Sequence, residues 1–266
     1  TLEFTAGYEE GTRHIVPTVT LGSRVQLTPT KEQIIRLAYQ PTDRGTLAAA
    51  LTDQGRLWYA ATPFGTVPVA LTGHGAEPVT TLIFDSRGQT LSVGTANGNL
   101  YHYDVREGAL ASLSETTPVA QAGTSVTALS YLIGDRSLAV GTSAGDVSVW
   151  MPVRQAQESS TTRFRLIHQF DAHPSSVTGI SPSLRDKGFI SGDTQGNLFV
   201  HYSTSAQTLL KLSGNHQAIR TLTFSPKADG AVALTDQGEL LTYAIQNPHP
   251  ETTLATLFKP VWYEGY

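Results

Sequence analysis

Histidine is the residue type that comes closest to a catalytic or metal-binding pattern in this sequence. His74, His173 and His216 recur at the same point of three separate segments. Imidazole can ligate Zn²⁺ or act as a general acid or base. A metal ion needs all its ligands within about 2.0–2.2 Å, and histidines on separate structural units meet only where those units converge. We therefore interpret these three as structural residues, and expect neither a metal ion nor a cofactor.

Carboxylates form a second pattern. Asp53 and Asp236 lie in an identical hexapeptide, Ala-Leu-Thr-Asp-Gln-Gly, at residues 50–55 and 233–238. A carboxylate pair can carry out acid–base chemistry, but Asp is also favoured in turns, where it accepts hydrogen bonds from the local backbone. Turn formation explains both residues. Because the sequence also has no Ser/His/Asp, phosphate-loop or zinc motif, we predict that the chain has no catalytic residues and is not an enzyme.

Arginine supplies the one pattern that favours a ligand. Arg36 and Arg220 are predicted to occupy the same position near the start of an apolar strand, where the intervening segments have Thr80, Thr127 and Thr178. Two arginines among threonines could hold an anion such as phosphate through charge-assisted hydrogen bonds. The alternative is ordinary ion pairing with nearby carboxylates.

Several aromatic residues lie near the C-terminal end of the sequence, and Trp262 and Tyr263 are the candidate binding residues among them. They have two interpretations. They fill the core of the last structural unit, or they mark an approach to a membrane, whose interface Trp and Tyr favour.

The elements that would position these residues are five β-hairpins. Each has a polar turn that ends in glycine, followed by a strand with apolar residues at alternate positions. The glycines are predicted to have the positive φ of a short hairpin loop. They are Gly55, Gly98, Gly145, Gly196 and Gly238.

The spacing of these glycines predicts the architecture. They are separated by 43, 47, 51 and 42 residues, and periods of about 40–45 residues with several short strands are typical of a β-propeller. A sandwich or barrel, with turns every ~8–12 residues, has no such higher-order recurrence. We predict an all-β propeller that forms a single domain over residues 1–266.

The repeats are expected at about 31–71, 72–113, 119–170, 171–212 and 213–246. Residues 1–30 and 247–266 are expected to share a sixth, closing blade, because an open ring would expose a sheet edge. A seventh blade outside this sequence is the alternative. The polar segment 155–162 is predicted to be an exposed loop that lengthens the third repeat.

Composition excludes some classes of protein. The chain has 266 residues and a net charge of −4, with 18 basic and 22 acidic residues and no basic run, so nucleic acid is not an expected partner. Cysteine is absent, which rules out disulfides and thiolate sites. No apolar run approaches the ~18 residues of a membrane-spanning helix.

The repeats resemble the WD-repeat family, whose unit combines a Gly-His pair, a strand ending in Phe-Ser-Pro, and a strand ending in Trp-Asp. Partial matches are Gly73-His74, Phe224-Ser225-Pro226, Tyr103-Asp104 and Trp150. The resemblance extends over about residues 30–245. Because the turn Asp is replaced in each repeat, it implies that the family's network linking His, Asp and Trp is broken in every blade.

The two ends of the chain resemble an enlarged bacterial phosphate transporter permease, the membrane subunit of an ABC importer. The similar segments are Leu2–Tyr8, Arg13–Pro17 and Leu257–Tyr266. The resemblance implies a soluble insertion domain between two membrane helices of an inner-membrane protein, on its periplasmic side. Its partners would be transporter subunits or a periplasmic phosphate-binding protein.

Three functions follow as expectations. The first is a non-catalytic interaction or sensory domain of such a permease, which binds a partner protein through a propeller rim. The second is a propeller enzyme or small anion binder that uses the central channel. The third is a free-standing WD-type scaffold. Acidic or imidazole side chains lining the channel would favour the second over the first.

Overall fold

A computed structural model describes residues 2–8, 15–21, 26–28, 31–61, 67–107, 111–154, 162–245 and 258–260. All regular elements in these ranges are β-strands. All five hairpin glycines have positive φ, between 72° and 91°, which confirms the hairpins predicted from the sequence. The conformation suits glycine because it has no Cβ.

Five four-stranded antiparallel sheets form the blades of a propeller, which confirms the predicted fold. In each blade the strands pair in chain order, from the innermost to the outermost. Blade one contains β3 (Ile34–Thr42), β4 (Gly45–Thr52), β5 (Leu57–Ala61) and β6 (Val69–Ala70). Blade two contains β7 (Val79–Phe84), β8 (Thr90–Thr95), β9 (Asn99–Asp104) and β10 (Ser112–Pro118). Blade three contains β11 (Val126–Tyr131), β12 (Leu138–Thr142), β13 (Val147–Arg154) and β14 (Thr162–Gln169).

The last two blades repeat this pattern. Blade four contains β15 (Val177–Pro182), β16 (Gly188–Asp193), β17 (Leu198–Tyr202) and β18 (Gln207–Leu212). Blade five contains β19 (Ile219–Phe224), β20 (Gly230–Thr235), β21 (Leu240–Ile245) and β22 (Phe258–Pro260). The predicted loop at 155–162 lies between β13 and β14, and all but its last residue is outside the described residues.

The core lies between the blades because alternate residues of each strand face a neighbouring sheet. Leu51 and Tyr59 of blade one pack with Leu91 of blade two, and Val149 of blade three packs with Phe189 of blade four. The innermost strands pack in chain order: β3 with β7, β7 with β11, β11 with β15, and β15 with β19. In the described part of the chain, β19 and β3 show no comparable packing.

In the described parts of the two chain ends, the strands do not share the sixth blade expected from the sequence. β22, from the C-terminal end, pairs with β21 and is the fourth strand of blade five. β1 (Leu2–Tyr8) and β2 (Ile15–Leu21) pair with each other in a separate two-stranded sheet. The sequence-based prediction ended blade five at residue 246. The outermost strand of that blade, β22, comes later in the chain and uses residues that the prediction assigned to the closing blade.

The two ends of the blade series expose apolar side chains. In blade one, Leu37 is 56% and Tyr39 is 69% exposed, and in blade five, Leu240 is 63% exposed. The counterparts of Leu240 in the inner blades are buried, and those of Leu37 and Tyr39 are buried or half-buried, because a neighbouring blade lies against each face. Among the described residues, the five blades therefore form a propeller with uncovered apolar surface on its first and last blades.

Candidate functional site

The structure places Arg36 and Arg220 at different positions of their blades. A β-bulge interrupts the start of every innermost strand. Arg220 is the bulged residue of blade five, between Ile219 and Thr221. In blade one the bulged residue is Ile35, and Arg36 pairs with Leu51. The predicted equivalence is therefore wrong by one residue, because glycine spacing does not reveal where the bulge falls.

The threonines at the bulges have a structural role. The hydroxyls of Thr80, Thr127 and Thr178 each donate a hydrogen bond to the carbonyl of a strand glycine, over 3.0, 3.2 and 3.2 Å. Thr80 Oγ1 also lies 2.5 Å from the carbonyl oxygen of Val126 in the next blade. These threonines hold the bulges, and Thr80 also links blades two and three.

The candidate binding residues are therefore not gathered into one site by the described structure. Arg36 and Arg220 are both exposed, and their role in binding an anion stays a prediction. Trp262 and Tyr263 lie outside the described residues. Asp53 and Asp236 are exposed at hairpin tips in blades one and five, and Asp53 Oδ1 accepts a hydrogen bond from the Gln33 N–H over 3.2 Å.

The three repeated histidines have different environments. His74 is 8% exposed, and its Nδ1 lies 3.1 Å from the hydroxyl of Tyr103. Burial lowers the pKa of His74, although nearby Glu77 opposes this shift. His216 is exposed and has a φ of 66°. Within the described residues, no group of three His, Asp or Glu side chains could hold a metal ion.

His173 belongs to a buried polar network in blade four. Its Nε2 lies 2.7 Å from Ser191 Oγ, and its Nδ1 lies 3.3 Å from a carboxylate oxygen of Asp193. Ser191 Oγ is also 2.7 Å from Nε2 of His201. Because the hydroxyl has one proton, it donates to one imidazole and accepts from the other. The expectation that the histidine–aspartate network is broken in every blade is wrong for blade four.

This network has the composition of a Ser-His-Asp triad but lacks the access that catalysis requires. Ser191, Asp193 and His201 are fully buried, and His173 is 3% exposed. Asp193 also accepts hydrogen bonds from the backbone N–H groups of Gln195 and Asn197, so that it holds the hairpin turn. A nucleophile needs contact with its substrate. The arrangement therefore stabilises blade four.

The position of Asp193 explains why sequence analysis missed the network. The residue immediately before the hairpin glycine is Gln195 in blade four, whereas the carboxylate comes from Asp193, two positions earlier. His201 stands where the resemblance led us to expect Trp. Burial lowers the pKa of His201 to about 3, and the charge of His173 adds to this effect.

A second buried network joins blades two and three. Ser92 Oγ lies 2.9 Å from His102 Nδ1 and 2.9 Å from the Tyr131 hydroxyl. Burial lowers the pKa of His102 to about 3 and raises that of Tyr131. Sequence analysis singled out none of these residues, because Ser92 and His102 have no counterpart in the other repeats.

A surface pocket lies where the innermost strands of blades two, three and four end. It has a volume of about 370 Å³ and is lined by residues at the ends of β7, β11 and β15 and in the turns that follow. We call the five turns between the first and second strands of the blades the inner turns; they are residues 43–44, 85–89, 132–137, 183–187 and 225–229.

Each inner turn contains at least one acidic and one basic residue. The basic residues are Arg44, Arg87, Arg136, Arg185, Lys187 and Lys227, and all six are exposed. Sequence analysis missed this recurrence because it aligned the repeats on the hairpin glycines. Aligning the Asp, Arg and Lys residues that precede each second strand would have revealed it.

Comparisons with known proteins support the architecture. The family described as "WD domain, G-beta repeat" matches residues 65–104, which span the hairpin of blade two. No curated protein sequence matches the chain. No helix long and apolar enough to cross a membrane occurs in the residues that the structure describes.

Two solved structures illustrate the likeness. The β-propeller domain of Cps50 (Swd1) from Myceliophteria thermophila is 12% identical, with a TM-score of 0.59 over 79% of this chain and 83% of that chain. Sqt1 from Saccharomyces cerevisiae is 14% identical, with a TM-score of 0.64 over 85% of this chain and 65% of that chain. At these identities the likeness shows the fold alone, and the chain is similar in fold to WD-type β-propellers.

Proposed function

We propose that the chain is a non-catalytic scaffold that binds a partner protein through the surface of its propeller. The observation that carries this proposal is the burial of the side chains with catalytic potential. Ser191, His173 and Asp193 are enclosed in blade four, whereas the charged inner turns face solvent. Such a rigid frame with solvent-facing turns can present a constant surface to a partner.

Affinity capture followed by reconstitution tests this proposal. A protein captured by the chain is purified and titrated against the chain by calorimetry, with urea-unfolded chain as the control. A stoichiometric complex with the folded chain alone would support a scaffold. Turnover of a substrate by the purified chain, with no binary complex, would overturn it.

A narrower form of the proposal makes this scaffold the periplasmic insertion domain of a phosphate ABC importer permease. The resemblance of Leu2–Tyr8 and Leu257–Tyr266 to such permeases supports it. The partner would then be a transporter subunit or the periplasmic phosphate-binding protein. Titration of a purified phosphate-binding protein against the chain, with and without phosphate, tests this form. Binding in either condition supports it, and no binding in both removes that partner.

A small-anion binder is the second candidate, supported by the exposure of Arg36 and Arg220 near the start of their innermost strands. Phosphate titrated by calorimetry into the wild type and into an Arg36→Ala, Arg220→Ala double variant tests it. Binding by the wild type alone would support the anion site.

A further inference from the structure

The pocket between the inner turns of blades two, three and four is lined by apolar residues of all three blades and by polar residues that include Asp135. Its volume of about 370 Å³ lies at the lower end of the range of ligand pockets in proteins. Each of the three blades contributes two apolar residues. They are Ile83 and Phe84, Leu132 and Ile133, and Pro182 and Leu184.

Leu184 stands out among these residues because its side chain is 69% exposed. An exposed leucine at the edge of an apolar pocket gains free energy when a partner covers it, at about 25 cal/mol per Å² of apolar surface. The pocket can therefore accept one bulky apolar side chain of a partner, with Leu184 packing beside it.

Four cations lie in the inner turns that contribute to this pocket, although none of them is among its lining residues. Arg87, Arg136, Arg185 and Lys187 belong to the three inner turns that line it, and all are exposed. In the ranges that the structure describes, the ion pairs of lysine and arginine are those of Arg56, Arg106 and Lys211. None of the four cations at the pocket therefore contacts a carboxylate as an ion pair there.

The acidic residues of the same turns accept hydrogen bonds from groups in or beside these three turns. Asp85 is 8% exposed, and its Oδ1 accepts hydrogen bonds from the N–H groups of Gln89 and Thr90 over 2.7 and 3.1 Å. Asp135 accepts hydrogen bonds from the backbone N–H and hydroxyl of Ser86.

Asp186 completes this set, since it accepts a hydrogen bond from the Gly188 N–H over 2.8 Å. Burial raises the pKa of Asp85, and the nearby guanidinium of Arg87 opposes this shift. The carboxylates therefore hold the turns in shape, and the cations of the three turns outnumber these carboxylates by one.

We propose that this pocket binds an acidic segment of a partner protein, with one bulky apolar side chain in the pocket and flanking carboxylates on the surrounding arginines and lysine. The proposal rests on the scaffold function proposed above and names the chemistry of its partner. The apolar lining selects a protein segment over a plain polyanion, and the cations select acidic flanks over basic ones.

Three fluorescein-labelled pentapeptides test this chemistry with the whole chain by fluorescence anisotropy. The first has phenylalanine between two Asp-Glu pairs, the second replaces that phenylalanine with glycine, and the third replaces the acids with lysine. We expect binding of the first peptide only, with at least a tenfold weaker Kd in 0.5 M than in 0.1 M NaCl because salt screens exposed charges. Equal binding of the glycine peptide would overturn the proposal. Displacement of the first peptide by a similar concentration of heparin would also overturn it, because heparin is a plain polyanion.

Two matched variants locate the binding. Leu184→Asp changes an exposed leucine at the pocket, and Leu240→Asp changes a leucine of similar exposure, 63%, in blade five. The first variant should weaken the Kd of the acidic peptide at least tenfold, and the second should leave it unchanged. Equal effects of both would contradict the proposed site. If a reconstituted protein partner binds Leu184→Asp as tightly as the wild type, the pocket proposal fails while the scaffold function stands.

Discussion

The imidazole of His102 in blade two lies flat against the ring of Phe164 in blade three, with ring centroids 3.8 Å apart and planes inclined by 5°. His102 is 1% exposed. Its Nδ1 is engaged by Ser92, and its Nε2 has no hydrogen-bond partner. This contact between blades depends on a neutral imidazole, because a second proton would place an unsolvated charge against an apolar ring.

We predict from this contact that the protein loses stability in mild acid. Burial lowers the pKa of His102 and that of His201 to about 3, whereas the unfolded histidines titrate near 6.5. Between these values the unfolded state binds more protons, so the free energy of unfolding decreases as pH falls from about 6.5 towards 3. At pH 5 each histidine should account for a loss of about 2 kcal/mol.

Urea unfolding at pH 7.5, 6 and 5 measures this loss. His102→Asn removes one titrating group, so the fall in unfolding free energy between pH 7.5 and pH 5 should be about 2 kcal/mol smaller than in the wild type. His201→Asn should reduce the pH dependence of the unfolding free energy by a similar amount. An unchanged slope in both variants would show that these imidazoles are protonated in the folded protein.

The hairpin glycines yield a second prediction, since they differ in the space around them. Gly145 and Gly238 have φ values of 91° and 86°. A Cβ at Gly145 would lie 2.2 Å from the carbonyl oxygen of His173, whereas a Cβ at Gly238 would meet none of the described residues within 4 Å. Gly238→Ala should cost about 1 kcal/mol, from backbone conformation alone. Gly145→Ala should cost at least about 2 kcal/mol more, because the loop of blade four must move. Equal losses in chemical denaturation would contradict the close packing of this loop.

Asp193 provides the third prediction. It is fully buried and accepts three hydrogen bonds of 2.7–2.9 Å from Gln195 and Asn197. Asp193→Ala leaves these donors unpaired and removes the carboxylate beside Nδ1 of His173, so we expect a loss of about 3 kcal/mol or more. Asp236→Ala, at an exposed hairpin tip, should change stability by no more than about 0.5 kcal/mol. Thermal and urea unfolding compare the two variants, and similar losses would contradict a network held by Asp193.

The propeller was predictable because its signals are local. Gly55, Gly98, Gly145, Gly196 and Gly238 fix the period, and each needs only its own turn to adopt positive φ. The bulges were not predictable, because Thr80 and Ile35 occupy equivalent positions although their sequences differ. A bulge depends on register between two strands, and no short motif encodes that register here.

The candidate site was less predictable than the fold because it depends on contacts between blades. Leu132 and Leu184 come together only when the blades are arranged around an axis. The expected closing blade was wrong for a related reason. Phe258–Pro260 pairs with β21 across a connection of twelve residues, Gln246–Leu257, and nothing in a three-residue strand specifies its partner.

The uncovered face of blade one gives the last prediction, which tests whether the ends of the blade series meet in solution. Leu37 is 56% exposed, whereas Leu51 of the same blade is 1% exposed and packs against blade two. Leu51→Ala should cost about 2–5 kcal/mol through the cavity it leaves. Leu37→Ala should cost less than about 1 kcal/mol, because folding buries little of the Leu37 side chain in the described structure. Urea unfolding of both variants measures the difference. A loss of 2 kcal/mol or more for Leu37→Ala would show that this face is covered, as a closing blade would require.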